Sequence, residues 1–330
     1  MREKFIGLAV SAMLFALSVS AQAQQSGKIF RIGFLERSTA SGSAVLLIAF
    51  REEMSKLGWI VGKNITIEVR FADQKLERLP ELAAELARLK VDVIVTGGVA
   101  PTSFAKKATA TIPIVFTQDP DPVGNGFVVS LARPGGNVTG NSALGTELNS
   151  KRLEILKDAV PKLARVGILR QEARGITEGI TMKEVKPAAL ALKLKLEEIE
   201  IQLVDAKGLA SAFQTAKQKR VNGIMWIGGR AIFGERKHIV ELAVKHRLPA
   251  IYFQKEFVDE GGLMSYGTDY DDLYRRAAVY VDKILKGAKP GELPIQQATK
   301  FEFVINLKAA KQIGLTIPVR VLERANQVIK

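Results

Sequence analysis

The sequence predicts an α/β protein of two lobes in series, each built on a parallel sheet that helices cover on both faces. From residue 28 onward, short runs of β-branched residues alternate with helical patterns, which is typical of such sheets. The alternation stops in a Gly- and Pro-rich stretch at residues 119–140 and then resumes. About 307 residues follow an N-terminal leader, which is more than one core usually holds. We therefore expect two lobes with a cleft between them.

The first half alternates four predicted strands with three predicted helices. Gly58 ends the first helix, and Pro113 lies at the entry to the fourth strand. Two loops rich in turn-forming residues follow, with a short helix between them. The strands cover residues 30–35, 65–71, 91–96 and 112–116, the helices 45–57, 79–89 and 101–108, and the loops 119–126 and 133–140.

The second half repeats this pattern, and no shorter repeat or coiled-coil heptad interrupts it. Gly261 and Gly262 open a further strand at residues 263–266, before an amphipathic helix. The apolar face of that helix carries Leu273, Ala277, Tyr280, Ile284 and Leu285. The other predicted strands cover 166–169, 199–204, 223–227 and 250–253, and the other helices 148–160, 185–196, 209–219 and 235–246.

The N-terminus has the three-part layout of a secretory signal peptide. Arg2 and Lys4 precede an apolar run at residues 5–19, and the small-residue pattern Ala21-Gln-Ala23 follows. The run of about 15 residues is shorter than the ~20 needed for a spanning helix. We expect cleavage before Gln24 and a periplasmic protein; a retained membrane anchor is the alternative.

The cysteine count and the net charge exclude several kinds of site and partner. The chain has no cysteine, so disulfides, thiolate metal sites and a lipidated cysteine are excluded, and the mature protein should be unanchored. The formal charge is +14. Such a charge raises the possibility of a nucleic-acid partner. However, the basic residues are spread along helices, as at Lys151 and Arg152, without a nucleic-acid-binding motif. We interpret them as solvated helix faces and expect no nucleic-acid partner.

Local sequences along the chain resemble the ABC-transporter substrate-binding family that includes tryptophan- and tyrosine-binding lipoproteins. The resemblance runs in order from about residue 28 to 330. It is carried by segments such as 58–64 (GWIVGKN), 79–86 (LPELAAEL), 91–98 (VDVIVTGG), 130–140 (SLARPGGNVTG), 246–252 (HRLPAIY), 261–267 (GGLMSYG) and 304–310 (VINLKAA).

The resemblance implies the type I periplasmic binding fold, in which the chain crosses between the lobes three times. It places lobe one at residues 28–141 plus 262–298 and lobe two at 142–261 plus 299–330. The implied partners are a small-molecule ligand and an ABC permease, and we expect a monomer. Two departures put amino-acid specificity in doubt: many relatives have Asn-Pro where this chain has Arg170-Gln-Glu172, and Gly228-Gly-Arg230 is an unusual loop.

Candidate ligand-binding residues follow from the architecture, because open parallel sheets bind ligands beyond the carboxyl ends of their strands. Residues just past each predicted strand are therefore the candidates. The set is Arg37, Ser38, Gly97, Gly98, Thr102, Ser103, Thr117, Gln118, Asp119, Arg170, Gly228, Gly229, Arg230, Tyr252, Phe257, Tyr266 and Asp269.

Two features of this set favour an anionic ligand. Pro101 suits the first position of a helix, which would leave Ala100 as a cap without a side-chain acceptor. The amides of Thr102 and Ser103 would then be free to donate to a ligand at the positive end of the helix, although water could accept these hydrogen bonds instead. Arg37, Arg170 and Arg230 would add positive charge.

Each feature has a structural alternative. The three arginines could pair with the nearby acids Glu36, Glu172 and Glu235. Tyr252, Phe257 and Tyr266 could stack on a planar ligand, but aromatic residues at strand ends are as often core.

The chain carries little that suggests catalysis. It has no G-x-S-x-G elbow, P-loop, nucleophilic cysteine or metal-spaced cluster, and its two histidines, His238 and His246, share one helical segment. We therefore expect no enzyme activity, cofactor or metal. Two other functions share the fold: an exported sensory module for a receptor kinase, and a sugar-repressor-like regulator, which would need a DNA-binding headpiece where this chain has a leader.

Overall fold

A computed structural model describes residues 28–144, 147–171, 177–227 and 230–330. These residues form two α/β lobes with one sheet each, as the sequence predicts. Helices cover both faces of the sheets, so the strands are largely apolar on both sides. No helix in these ranges is long and apolar enough to cross a membrane.

Lobe one contains a six-stranded parallel sheet in the order β11-β5-β4-β3-β1-β2. Its core packs Phe34 against Phe50 and Tyr274, with ring centroids 5.5 and 6.1 Å apart. The strands are β1 Phe30–Glu36, β2 Ile65–Phe71, β3 Val93–Thr96, β4 Ile114–Asp119, β5 Val138–Ser142 and β11 Gln296–Gln297, and the helices are α1 Ala40–Lys56, α2 Leu79–Arg88, α3 Val99–Ala108 and α10 Tyr270–Leu285.

Lobe two contains a seven-stranded sheet in the order β13-β12-β10-β9-β8-β6-β7, in which only the β10–β12 pair is antiparallel. The strands are β6 Arg165–Gln171, β7 Lys195–Ile201, β8 Gly223–Trp226, β9 Ala250–Tyr252, β10 Met264–Thr268, β12 Phe301–Asn306 and β13 Gln327–Ile329. The helices are α4 Glu147–Ala159, α5 Thr177–Ala191, α6 Ala206–Gln218, α7 Arg230–Gly234, α8 Arg236–Lys245, α9 Glu256–Asp259, α11 Leu307–Gln312 and α12 Val319–Leu322.

Three chain crossings join the lobes. They lie between β5 and α4, between β10 and α10, and between β11 and β12. Hydrogen bonds tie them together: Thr268 Oγ1 donates to the carbonyl oxygen of Ala143 at 2.8 Å, and the Asp269 amide donates to that of Lys300 at 3.1 Å. Ala298 is buried between the crossings.

Some sequence boundaries need correction. Because β10 pairs with β9 and β12, residues 264–268 belong to lobe two, and the return to lobe one begins after Thr268 rather than at 262. The fourth strand extends to Asp119, since the β4–β5 register resumes there after an irregularity at Phe116. The short helix predicted between the two loops is absent: residues 120–137 form turns and bends.

Candidate functional site

The carboxyl ends of the strands from both lobes meet at the cleft, and several buried polar atoms there have no hydrogen-bond partner. Buried polar atoms in native proteins nearly always have one, so a cluster of exceptions marks a place where a ligand can supply the missing bonds. The atoms are Arg37 Nε, Ser38 Oγ, Asp119 Oδ2, Asn141 Oδ1, Trp226 Nε1 and Gln254 Nε2.

Arg37 and Ser38 follow β1 directly. The predicted alternative of an Arg37–Glu36 pair does not occur: Glu36 is fully buried and accepts a 2.6 Å hydrogen bond from Tyr274 Oη. Arg37 has no carboxylate partner among the described residues, and burial lowers its pKa. It therefore stays a candidate for an anionic group.

Gly97 serves this arrangement through its lack of a side chain. A Cβ atom at Gly97 would lie 2.1 Å from the Glu36 carboxylate, so any larger residue would displace that buried acid. The backbone at Gly97 therefore packs directly against the buried Glu36 carboxylate at the end of β1.

The helix terminus after β3 differs from the prediction. Gly98, with φ 100°, caps α3, which begins at Val99 rather than at Pro101. The Thr102 amide donates to the Gly98 carbonyl oxygen at 3.2 Å, and its hydroxyl donates to the same oxygen at 2.8 Å. Ser103 is the fifth residue of the helix. The prediction of free Thr102 and Ser103 amides is therefore wrong, because the helix starts two residues earlier.

The end of β4 carries a buried carboxylate. Asp119 is fully buried; its Oδ1 accepts hydrogen bonds from the Asp121 amide and from Asn125 Nδ2, both at 2.8 Å. Its Oδ2 has no partner, and burial raises the pKa of Asp119 to about 7. Thr117 and Gln118 precede it; both are buried, and the Thr117 hydroxyl donates to the Thr96 carbonyl oxygen.

The candidate residue Arg170 lies in an ion-pair network. Its guanidinium pairs with Glu198 at 3.4 Å and with Glu200, both on β7, which runs beside β6 in parallel register. The structural alternative therefore holds for Arg170, with different acids from the one expected. Gly228 and Gly229 lie outside the described residues; Arg230 begins α7, and its side chain lies outside them too.

Two of the three aromatic candidates lie in the core of lobe two. Tyr252 and Phe257 are fully buried and stack on each other with ring centroids 4.7 Å apart, which favours the alternative that both rings belong to the core. Tyr266 is half-buried and packs beside Phe301. Asp269 caps α10: its Oδ1 accepts a hydrogen bond from the Asp272 amide at 2.9 Å.

Sequence reasoning missed Arg152 in α4. Its sequence context predicts a solvated helix face, yet only 4% of the residue is exposed. Its Nε donates to the Tyr266 carbonyl oxygen and its Nη1 to Asn149 Oδ1, both at 2.6 Å. Burial lowers the pKa of Arg152 to about 10. The usable signal was helical spacing, because Arg152 shares a face with the buried Ile155, Leu156 and Ala159.

No carboxylate pairs with Arg152 within the described part of the chain. The same ranges contain no group of three or more His, Asp or Glu side chains placed to hold a metal ion. The described cleft residues offer a solute buried charges and hydrogen-bonding groups.

Fold and cleft together define a type I periplasmic binding protein, a class of two-lobed solute-binding proteins. The family of ABC transporter substrate binding proteins matches residues 46–329, and the chain belongs to that family. It is a family of solute-binding proteins rather than of enzymes.

Individual relatives agree with this assignment. A tyrosine-binding protein of Clostridioides difficile (strain R20291) is 25% identical over 266 residues, which cover 81% of this chain and 75% of that protein. A solved conserved domain protein of Vibrio cholerae O1 biovar El Tor is 27% identical, with a TM-score of 0.84 over 91% of this chain and 100% of that one. A Streptococcus pneumoniae ABC domain in complex with L-Trp shares the fold, with 24% identity and a TM-score of 0.83 over 91% and 99% of the two chains.

Proposed function

We propose that the protein captures a small amino-acid-like solute between its lobes and delivers it to an ABC permease outside the cytoplasm. One observation carries the proposal: buried, unpartnered polar atoms from both lobes gather at the carboxyl ends of the strands. Each such atom costs about 1–3 kcal/mol while it stays unpaired, and a ligand with matching groups recovers that energy. The tyrosine-binding relative supports an amino-acid-like ligand.

Delivery to a permease, rather than presentation to a receptor kinase, is supported by the family, which is one of ABC transporter substrate binding proteins. Export is supported by the leader at residues 1–23. The protein acts as an unanchored monomer in the periplasm, and size-exclusion chromatography with light scattering checks that state.

The three crossings supply the motion that delivery needs. Short connections that run side by side allow two rigid lobes to close on a ligand by small backbone rotations. The lobes already approach each other at one point, since a Cβ atom at Gly234 of α7 would lie 2.7 Å from Gln74 Nε2, in the loop after β2. A bound solute would then be held by groups from both lobes.

A thermal-shift screen tests the proposal. The purified mature chain is heated with each of the twenty L-amino acids and with a panel of small carboxylates and sugars. A ligand at a hundred times its dissociation constant adds about 2.7 kcal/mol of stability, which corresponds to a shift of roughly 5 °C for a chain of this size. If no compound in the panel raises the melting temperature, the protein is not a binder of these solutes and the proposal fails.

A further inference from the structure

The edge of the lobe-two sheet that faces away from the cleft collects a large excess of cations. The chain enters the parallel strands β6, β7, β8 and β9 at this edge, since their carboxyl ends lie at the cleft. The four entry segments are residues 162–165, 193–197, 217–220 and 245–247. Their charged side chains are Lys162, Arg165, Lys193, Lys195, Lys217, Lys219, Arg220, Lys245 and Arg247, against Glu197 alone. We call the surface that these four segments form the basic pole of lobe two.

Backbone hydrogen bonds hold the segments of the basic pole side by side. The Lys195 amide donates to the Ala164 carbonyl oxygen at 2.9 Å, and the Asn222 amide donates to that of Arg165, also at 2.9 Å. β9 lies beside β8 in the same sheet. Neighbouring strands are about 4.8 Å apart, so the row from β9 to β7 extends over about 14 Å. The charges of the pole therefore lie within less than two Debye lengths of ~8 Å at physiological salt.

Few of these charges are neutralised. Glu197 is shared by three cations, at 3.3 Å from Arg165, 3.0 Å from Lys195 and 3.8 Å from Lys219. Burial and then the positive charges of Lys245 and Lys217 lower the pKa of His246, which shows that these two charges converge on one place. Six cations are exposed and have no carboxylate within ion-pair distance among the described residues: Lys162, Lys193, Lys217, Arg220, Lys245 and Arg247.

The arrangement of the basic pole fits a planar anionic partner. Its unpaired cations project from segments in one row, so a flat surface can meet all of them, whereas a small anion can contact only neighbours. Leu190 lies beside this row, because the Lys193 amide donates to its carbonyl oxygen, and 81% of Leu190 is exposed. Cations together with an exposed leucine are typical of proteins that lie on a membrane surface.

The chain has few other means of staying at a membrane. It has no cysteine that could carry a lipid anchor. No helix in the described ranges is long and apolar enough to span a bilayer. The attraction of cations to anionic lipid is independent of both, since it needs only exposed charge within a Debye length of the surface.

We propose that the basic pole of lobe two binds reversibly to a bilayer surface that carries anionic phospholipids. Each lysine or arginine close to such a surface favours the bound state about fivefold. The association holds an unanchored protein near the membrane, and it does not depend on which solute the cleft binds. Because the pole lies at the opposite edge of the sheet from the cleft, contact with lipid leaves the cleft open.

Vesicle sedimentation tests the proposal. The purified mature chain is mixed with vesicles of phosphatidylcholine, alone or with about 30% phosphatidylglycerol, at about 0.1 M and about 1 M salt, where the Debye length is about 10 Å and about 3 Å. The variant Lys217→Gln/Lys245→Gln removes two charges of the pole. Lys207→Gln/Lys237→Gln is the matched control, because these exposed lysines lie near the cleft ends of the same two helices, α6 and α8.

We expect the parent to bind the anionic vesicles at the lower salt, to leave them at the higher salt, and not to bind neutral vesicles. The pole variant should bind the anionic vesicles about 25-fold more weakly, since two cations contribute about fivefold each. The control has the same net charge and should bind within about twofold of the parent, because its lysines lie about 12–15 Å further along the helices. All four lysines are exposed, so urea unfolding of both variants should match the parent.

A dye on a single introduced cysteine locates the contact, since the chain has no cysteine of its own. Gln218→Cys places the dye at the basic pole, and Ser55→Cys places it on α1 of lobe one; both positions are exposed. Anionic vesicles should protect the dye at position 218 from quenching by iodide and leave the dye at position 55 accessible.

Several outcomes would overturn the proposal. Equal weakening by the two double variants would attribute vesicle binding to net charge rather than to the pole. Binding that persists at the higher salt or on neutral lipid, or protection of the dye at position 55 alone, would place the contact elsewhere. Retention of the parent on immobilised polyphosphate without vesicle binding would assign the pole to a soluble polyanion. None of these results bears on solute binding, which the thermal-shift screen tests separately.

Discussion

Replacement of Asp119 by asparagine should change how the stability of the ligand-free protein depends on pH. Asp119 has a folded-state pKa of about 7, raised by burial from an ordinary value of 3.8. A carboxyl whose folded pKa exceeds its unfolded pKa holds its proton more tightly when folded. Folding is therefore favoured most below the unfolded pKa, and this contribution is lost as pH rises toward the folded pKa.

The size of the effect follows from the same values. Each pH unit between the two pKa values costs about 1.4 kcal/mol, so the ionisation of Asp119 should remove about 3 kcal/mol of unfolding free energy between pH 5 and pH 8. Asp119→Asn keeps the shape and does not ionise. From pH 5 to pH 8 the unfolding free energy of the variant should therefore rise by about 3 kcal/mol relative to that of the parent. Urea unfolding at each pH measures this difference.

Other ionisable groups also make the stability of the parent depend on pH. Their contributions are the same in the variant, so they cancel when the two proteins are compared. Burial also raises the pKa values of Glu256, Asp271 and Glu302, and these residues are unchanged in the variant. Glu241→Gln, at an exposed position on α8, serves as the control and should follow the parent. A difference between Asp119→Asn and the parent that stays constant from pH 5 to pH 8 would refute the assignment of a buried, unpaired carboxylate.

Two further predictions concern export and motion. Periplasmic material should have the intact mass of a chain that begins at Gln24, and full-length chain held in the membrane would contradict the unanchored state. Solution scattering should show a smaller radius of gyration when an amino acid binds. Gly234→Phe places a ring where Gln74 approaches, so it should reduce both this contraction and the affinity. Gly136→Phe is the control and should reduce neither, because nothing lies within 4 Å of its Cβ position. An unchanged radius in the parent with saturating ligand would exclude the hinge motion.

The architecture could be predicted from the sequence because each strand and each helix has a recognisable pattern in its own residues. Alternation of β-branched runs with amphipathic helices requires parallel strands between helices, and the bounds agree closely where caps and turns are local, as at Ile65–Phe71. The boundary at residue 262 was wrong because pairing of Met264–Thr268 with β9 and β12 depends on segments distant in sequence. Strand ends predict a ligand site at the carboxyl edges of the sheets, and that prediction needs only the topology and not particular side chains.

What the tertiary structure alone decided is which charges remain without a partner. Lys151 and Arg152 are adjacent and alike in sequence, yet the packing of α4 against β10 exposes one and buries the other. Arg170 looked like a free cation until the β6–β7 register placed Glu198 and Glu200 beside it. Burial and pairing of a charge are set by what the fold brings next to it, whereas the periodicity of a segment is set by its own residues.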